Sequence, residues 1–119
     1  NKEKELLGVN FEYHPIHSYQ KIITSNNYKV LSEALLSQSQ NLEFVGVLSK
    51  VKIHKTKDGK DMAFIVLEDE FDSVDCVVFP DVYARFDFVL GKVYLVNGKL
   101  DYRNHRKSII INRIKIIKE

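Results

Sequence analysis

The chain has 119 residues, 45% hydrophobic and 29% charged, with a net charge of +2 and one cysteine, Cys76. That is enough for one domain with a modest core. It excludes an internal disulfide and fits a reducing compartment. No apolar run approaches the ~18 residues of a membrane span and no signal-peptide pattern is present, so no membrane partner is expected.

The elements are predicted in chain order. The sequence starts at Asn1, not Met, which reads as a piece cut from a longer chain. Residues 2–7 (KEKELL) form a short helix stopped at Gly8. Val9–Tyr13 is extended, and His14-Pro15 ends it, because a residue before proline is pushed out of the helical region. Ser18–Thr24 is a helical turn. Ser25-Asn26-Asn27 supplies N-cap chemistry for a helix over Tyr28–Ser37, with Val30, Leu31, Ala34 and Leu35 at helical spacing. The polar run Ser37–Asn41 is a linker and marks a boundary between a helical connecting segment, 1–41, and a second domain, 42–119.

After Asn41 the pattern turns to strands. Leu42–Thr56 places Val45, Val47, Val51 and Ile53 on one side of an alternation, with Lys50, Lys52 and His54 on the other. Asp58-Gly59 signals a hairpin. Met62–Leu67 and Ser73–Phe79 are the second and third strands. Pro80 opens a helix over Asp81–Leu90, with Tyr83, Phe86 and Leu90 on one face and Gly91 at its end. Lys92–Tyr102 and Lys107–Lys118 are the fourth and fifth strands. Three strands, a helix and two strands over about 75 residues is the order of the OB-fold, a five-stranded Greek-key barrel. The helix between strands three and four separates it from a five-stranded SH3-type barrel. The predicted fold class is mainly β, with a short, mainly helical N-terminal segment.

Charge is unevenly spread. Residues 50–60 carry five Lys and one Asp, and residues 99–107 carry four basic residues and one Asp. Residues 68–75 carry five acids and no base. A small total with two basic clusters points to a localised anion site. OB barrels bind oligonucleotides on the face of strands two and three, between the first–second and fourth–fifth strand loops. The first of those loops holds Lys55, Lys57 and Lys60, with Lys50 and Lys52 on the strand leading to it. The second holds Arg103, His105, Arg106 and Lys107. Period-two alternation turns Ala63, Ile65, Leu67, Val74, Cys76 and Val78 inward and Met62, Phe64, Val66, Asp75, Val77 and Phe79 outward. Phe64 and Phe79 are thereby placed to stack bases, and Tyr102 beside Arg103 is a further platform. Asp75 on this face opposes an anion.

Other chemistries lack their signatures. The acids at 68–75 do not have the spacing or the glycine of a calcium loop. His14 and His17 flank Pro15 and have no ligand partner close in sequence. Cys76 reads as a buried small hydrophobe. There is no glycine-rich phosphate loop, nucleophile elbow or catalytic triad. The chain alone is expected not to be an enzyme, and no cofactor or metal site is assigned.

Two stretches resemble a known family. Glu3-Lys4-Glu5-Leu6-Leu7-Gly8 followed by His14-Pro15 resembles the segment joining polymerase body to OB domain in the alpha subunit of bacterial DNA polymerase III. Tyr13 and Ile16 stand where that family has Gly and Leu. Residues 45–86, with the Lys55-Thr56-Lys57 turn, Met62-Ala63-Phe64, Leu67-Glu68-Asp69 and Val78-Phe79-Pro80, resemble its OB stretch. Asp72-Ser73 replaces the family's Thr-Gly. The resemblance implies a C-terminal portion of a replicative polymerase, cytoplasmic and close to the nucleoid, contacting single-stranded template without sequence preference. It implies that the polymerase carboxylates lie outside this chain. It also implies partners in the rest of the alpha subunit, with sliding clamp or clamp-loader subunits as further ones. Two alternatives stay open: a protein-positioning module without significant nucleic-acid binding, and an RNA-binding OB domain.

Overall fold

The computed structural model describes residues 15–37, 39–86, 88–103 and 106–118. The helix expected at 2–7, the extended stretch 9–13, His14 and His105 lie outside the described residues. Five strands, β1 (Asn41–Lys55), β2 (Asp61–Glu68), β3 (Ser73–Val78), β4 (Val93–Arg103) and β5 (Arg106–Ile116), close into a barrel in the order β1-β2-β3-β5-β4. All pairings are antiparallel except β3 with β5, which closes the barrel in parallel over Asp75–Val77 and Ser108–Ile110. This is the OB-fold topology expected from the strand order.

The first strand does not keep one alternation throughout. A β-bulge lies between Leu48 and Lys50, where Ser49 has no cross-strand partner. The Ser49 hydroxyl donates to the Val66 carbonyl at 3.3 Å. An extra residue shifts the side-chain phase by one. Before it, Leu42, Phe44 and Leu48 face the barrel interior; after it, Val51 does. The expected grouping of Val45 and Val47 with Val51 and Ile53 is therefore wrong. Val45 and Val47 lie on the outer face, under Ile16, Tyr19 and Ile23 of the N-terminal segment. Without the bulge, Lys50 and Lys52 would point into the core. The bulge puts them outside, with His54.

The N-terminal residues pack on the barrel itself. A 3-10 turn (Pro15–Tyr19) leads into α1 (Gln20–Ser25), followed by α2 (Leu31–Leu36). The helix expected over 28–37 begins three residues late. Lys29 and Val30 instead extend along β1, where Val45 N–H donates to the Lys29 carbonyl at 2.7 Å and Val30 bridges Val45. Ser25, Asn26 and Asn27 close α1 rather than opening α2, and Asn27 takes a left-handed φ of 55°, a region asparagine tolerates. Leu31 and Ala34 enter the main core.

The expected helix over 81–90 is also shorter: α3 spans only Pro80–Tyr83, with Pro80 in its first turn. Beyond it the chain turns aromatic rings onto the barrel. Tyr83 and Phe88 stack with centroids 5.7 Å apart. Val89 N–H donates to the Tyr94 hydroxyl at 2.8 Å, and Gly91 N–H donates to the Leu48 carbonyl at 2.8 Å. These tertiary bonds replace the last helical turns. Leu90, expected on the packed face, is exposed.

Candidate nucleic-acid interface

The outward face of the barrel is organised in rows set by strand register. Lys50 pairs with Val66, Val66 with Asp75, Asp75 with Ser108, and Ser108 with Asp101, so one row crosses all five strands. Two residues further along, Lys52 pairs with Phe64, Phe64 with Val77, Val77 with Ile110, and Ile110 with Lys99. The first row is polar apart from Val66. The second is apolar at its centre, with a lysine at each end. Both rows, except Lys99, line a groove of about 610 Å³ that also includes Met62, Phe79, Arg106 and Lys107. Its walls are cationic at both sides: Lys50 and Lys52 on β1, Arg106 and Lys107 on β5.

Phe64 and Phe79 are 43% and 42% exposed, so each ring is partly open to the groove and partly packed. The His54 ring lies 6.0 Å from Phe64, tilted by 58°. Arg106 Nη2 stands 3.7 Å from Asp75 Oδ2, with both side chains well exposed. Cys76, on the strand beneath the groove, turns its side chain into the core, and burial followed by the Asp75 charge pushes its thiol far above the usual range.

The sequence-selected residues thus divide. Lys50, Lys52, Phe64, Phe79, Arg106 and Lys107 come together in the groove. Lys55 is paired with Asp61 at 2.9 Å in the β1–β2 hairpin. Lys57 is exposed at its tip, where Gly59 takes φ +80°. Lys60 lines a separate pocket with Asp81 and Tyr83. Tyr102 is exposed opposite Lys107 on β4 and does not line the groove. Arg103 closes β4 opposite Arg106, and its side chain, like His105, lies outside the described residues. Sequence reasoning missed Asp101, Ser108 and Ile110 as groove residues. Their signal is the parallel β3–β5 register, which no local pattern carries. Among the described residues no group of three or more His, Cys, Asp or Glu is arranged to hold a metal, and no helix is long and apolar enough to cross a membrane.

A second polar constellation lies at the β2–β3 turn. Asp69, 4% exposed, accepts from Ser32 N–H at 2.8 Å and Ser32 Oγ at 2.6 Å. It also accepts from Phe71 N–H at 2.9 Å and Asp72 N–H at 2.8 Å. Burial opposes the charged carboxylate, but the Ser32 hydroxyl and the three backbone donors outweigh it and hold its pKa below the usual range. Beside it, His17 Nε2 meets Glu70 Oε2 at 2.7 Å. This constellation ties α2 and the 3-10 turn to the barrel and is structural.

Known proteins resemble this chain in sequence and in fold. DNA polymerase III subunit alpha of Bacillus subtilis is 31% identical over 119 residues, covering 98% of this chain and 11% of the relative. The same subunit of Borreliella burgdorferi is 36% identical over 116 residues, covering 94% and 10%. The chain thus spans about a tenth of the length of these curated relatives. Among solved structures, a replication protein A heterotrimer bound to ssDNA matches with a TM-score of 0.58 at 17% identity, over 70% of this chain and 62% of that one. The second OB-fold domain of replication protein A from Methanococcus maripaludis matches with a TM-score of 0.51 at 19% identity, over 66% and 85%. At such identities the structural likeness speaks for the fold alone. The family model described as OB-fold nucleic acid binding domain matches residues 43–117, which take in all five strands but for the first two residues of β1. With the closed five-stranded barrel and its helix between β3 and β4, that match identifies the chain as a member of the OB-fold nucleic acid binding domain family.

Proposed function

We propose that this chain is a single-stranded DNA-binding module of a bacterial DNA polymerase III alpha subunit, gripping template during replication in the cytoplasm. The observation that carries this reading is the groove: Lys50, Lys52, Arg106 and Lys107 flank an apolar floor from which Phe64 and Phe79 present their rings. Cations hold phosphates whatever the sequence, and exposed rings stack any base. On this reading affinity comes from the backbone and from stacking. Nucleotidyl transfer belongs to other parts of a longer protein, and the module itself is non-catalytic. Residues 1–41 connect the barrel, 42–119, to the remainder of the alpha subunit. Lys57, at the β1–β2 loop tip, extends the phosphate path beyond the groove.

The test is fluorescence anisotropy of a labelled single strand of ~20 nucleotides across a salt series. Single strands give a log–log slope near −0.7 per phosphate contact, so three to six contacts give about −2 to −4. Lys52→Ala and Arg106→Ala should each lower affinity for every sequence and flatten the slope by about 0.7. Phe64→Ala should cost roughly 1–3 kcal/mol without changing the slope. Stronger binding to duplex, or a slope unmoved by both cation substitutions, would sink the site. An RNA strand of equal length separates DNA from RNA preference.

A protein-positioning role has its own supporting observation. Leu36 and Phe71 are 84% and 76% exposed, and neither lines the groove. Capture of clamp or clamp-loader subunits that survives charge reversal at Lys52 and Arg106 would favour that role.

A further inference from the structure

The groove holds two carboxylates where an anion-binding face would be expected to exclude them. Asp75 and Asp101 flank Ser108 in one register row, on β3, β4 and β5. Sheet register places this row beside the apolar row of Phe64, Val77 and Ile110. Two residues along a strand span about 6.6 Å, which is close to the width of a nucleobase. A base lying on the apolar row therefore presents its polar edge to Asp75, Ser108 and Asp101, and its phosphates to the cations at the groove walls. Carboxylates accept hydrogen bonds and donate none, so they receive an exocyclic amino group and repel a carbonyl oxygen. Arg106 approaches one oxygen of Asp75 at 3.7 Å. A carboxylate has about four acceptor positions, so that contact leaves capacity for a base.

We propose that the Asp75–Ser108–Asp101 row reads the base edge and gives the groove a preference for amino-bearing bases over thymine and uracil. The proposal rests on the single-stranded DNA reading above and refines it. Phosphates and stacking supply affinity, and the acceptor row adds a bias at one base position. The carboxylates then serve as a selectivity element within a cationic groove.

Cytosine and uracil differ only at this edge: a 4-amino group and bare N3 against a 4-carbonyl and N3–H. Labelled 12-mers of deoxycytidine and deoxyuridine, titrated with the 119-residue chain at pH 7.5 and fixed salt, isolate the effect. The expected result is about five- to tenfold tighter binding of the deoxycytidine strand, the low end of what one base-edge contact discriminates. Asp75→Asn supplies a donor as well as an acceptor and should bring the ratio to about twofold or less. Asp101→Asn serves as the second variant. Asp75 is exposed on the outer face of the sheet, so thermal unfolding of Asp75→Asn should be unchanged.

Equal binding of both strands by the unaltered chain overturns the proposal and leaves the single-stranded DNA reading standing. So does a deoxycytidine preference kept in both variants, or a uniform gain in affinity with the ratio intact. That last pattern would mean the aspartates act only through net charge. Failure of both strands to bind overturns both readings.

Discussion

Asp69 shows how one side chain holds two parts of the fold together. Its carboxylate receives four hydrogen bonds, two from Ser32 at the start of α2 and two from its own turn. The α2 N-cap, Val30, has no side-chain acceptor, so the cap comes from a residue 37 positions away in sequence. Asp69→Asn keeps the shape but replaces one acceptor with a donor. It should cost about 1–3 kcal/mol at neutral pH, read by urea unfolding. The sign of the pH effect follows from the depressed folded-state pKa. The contribution is fully present above the unfolded value and is lost as pH falls through the folded one. The unaltered chain should therefore lose more stability than Asp69→Asn between about pH 5 and pH 2. Parallel acid limbs in the two proteins would contradict this role. Gly98 is constrained differently: a Cβ there would clash with Ile109 Cγ2 and stand 2.8 Å from the Ile110 carbonyl oxygen. Ile109 enters the core and Ile110 lines the groove, so the β4–β5 approach leaves space for glycine only.

At the scale of elements, the two bulges do most to position the groove. The β1 bulge turns Lys50 and Lys52 outward, and the irregularity at Asn97–Gly98 shifts β5 so that Ile109, Ile111 and Ile114 all reach the core. A phase shift of apolar residues, from Leu42, Phe44 and Leu48 to Val51, was legible in the sequence; a strict period of two hid it. α2 depends on the barrel rather than on its own six residues, since isolated helices that short are not stable. Leu31 is fully buried and Leu36 is 84% exposed. Leu31→Ala should destabilise by about 2–5 kcal/mol, whereas Leu36→Ser should change stability by less than about 0.5 kcal/mol. Thermal unfolding of the pair decides it; equal effects would mean that α2 does not dock through its Leu31 face.

At the scale of the molecule, two apolar clusters of unequal size among the described residues carry the fold. The larger fills the barrel interior and takes in α2. The smaller sandwiches Ile16, Tyr19 and Ile23 against Val45, Val47, Val93 and Ile117 on the outside. The smaller cluster gathers fewer buried side chains, so it should open first. Native-state hydrogen exchange should show the amides of Ile22–Tyr28 exchanging at lower protection than those of Val96 and Ile109. Identical protection would mean that segment and barrel unfold as one unit. The groove lies on the sheet face of β2, β3 and β5, whereas the segment covers Val45 and Val47 of β1. The packed N-terminal residues and the candidate groove therefore use different surfaces.

By itself the sequence determined the element order, the inward and outward faces of β2 and β3, and the concentration of cations around the two loops. Each of these is local: alternation, turn residues and charge runs act within ten or so positions. Only the tertiary structure decided which cations meet. Lys55 went to Asp61 and Lys60 to another pocket, while Lys50, Lys52, Arg106 and Lys107 converged. It also decided where α2 and α3 begin or end, because a short helix competes with strand bridges and aromatic burial that come from distant residues. The row joining Asp75, Ser108 and Asp101 exists only through the β3–β5 and β4–β5 registers. Barrel closure sets those registers, and closure is a property of all five strands at once.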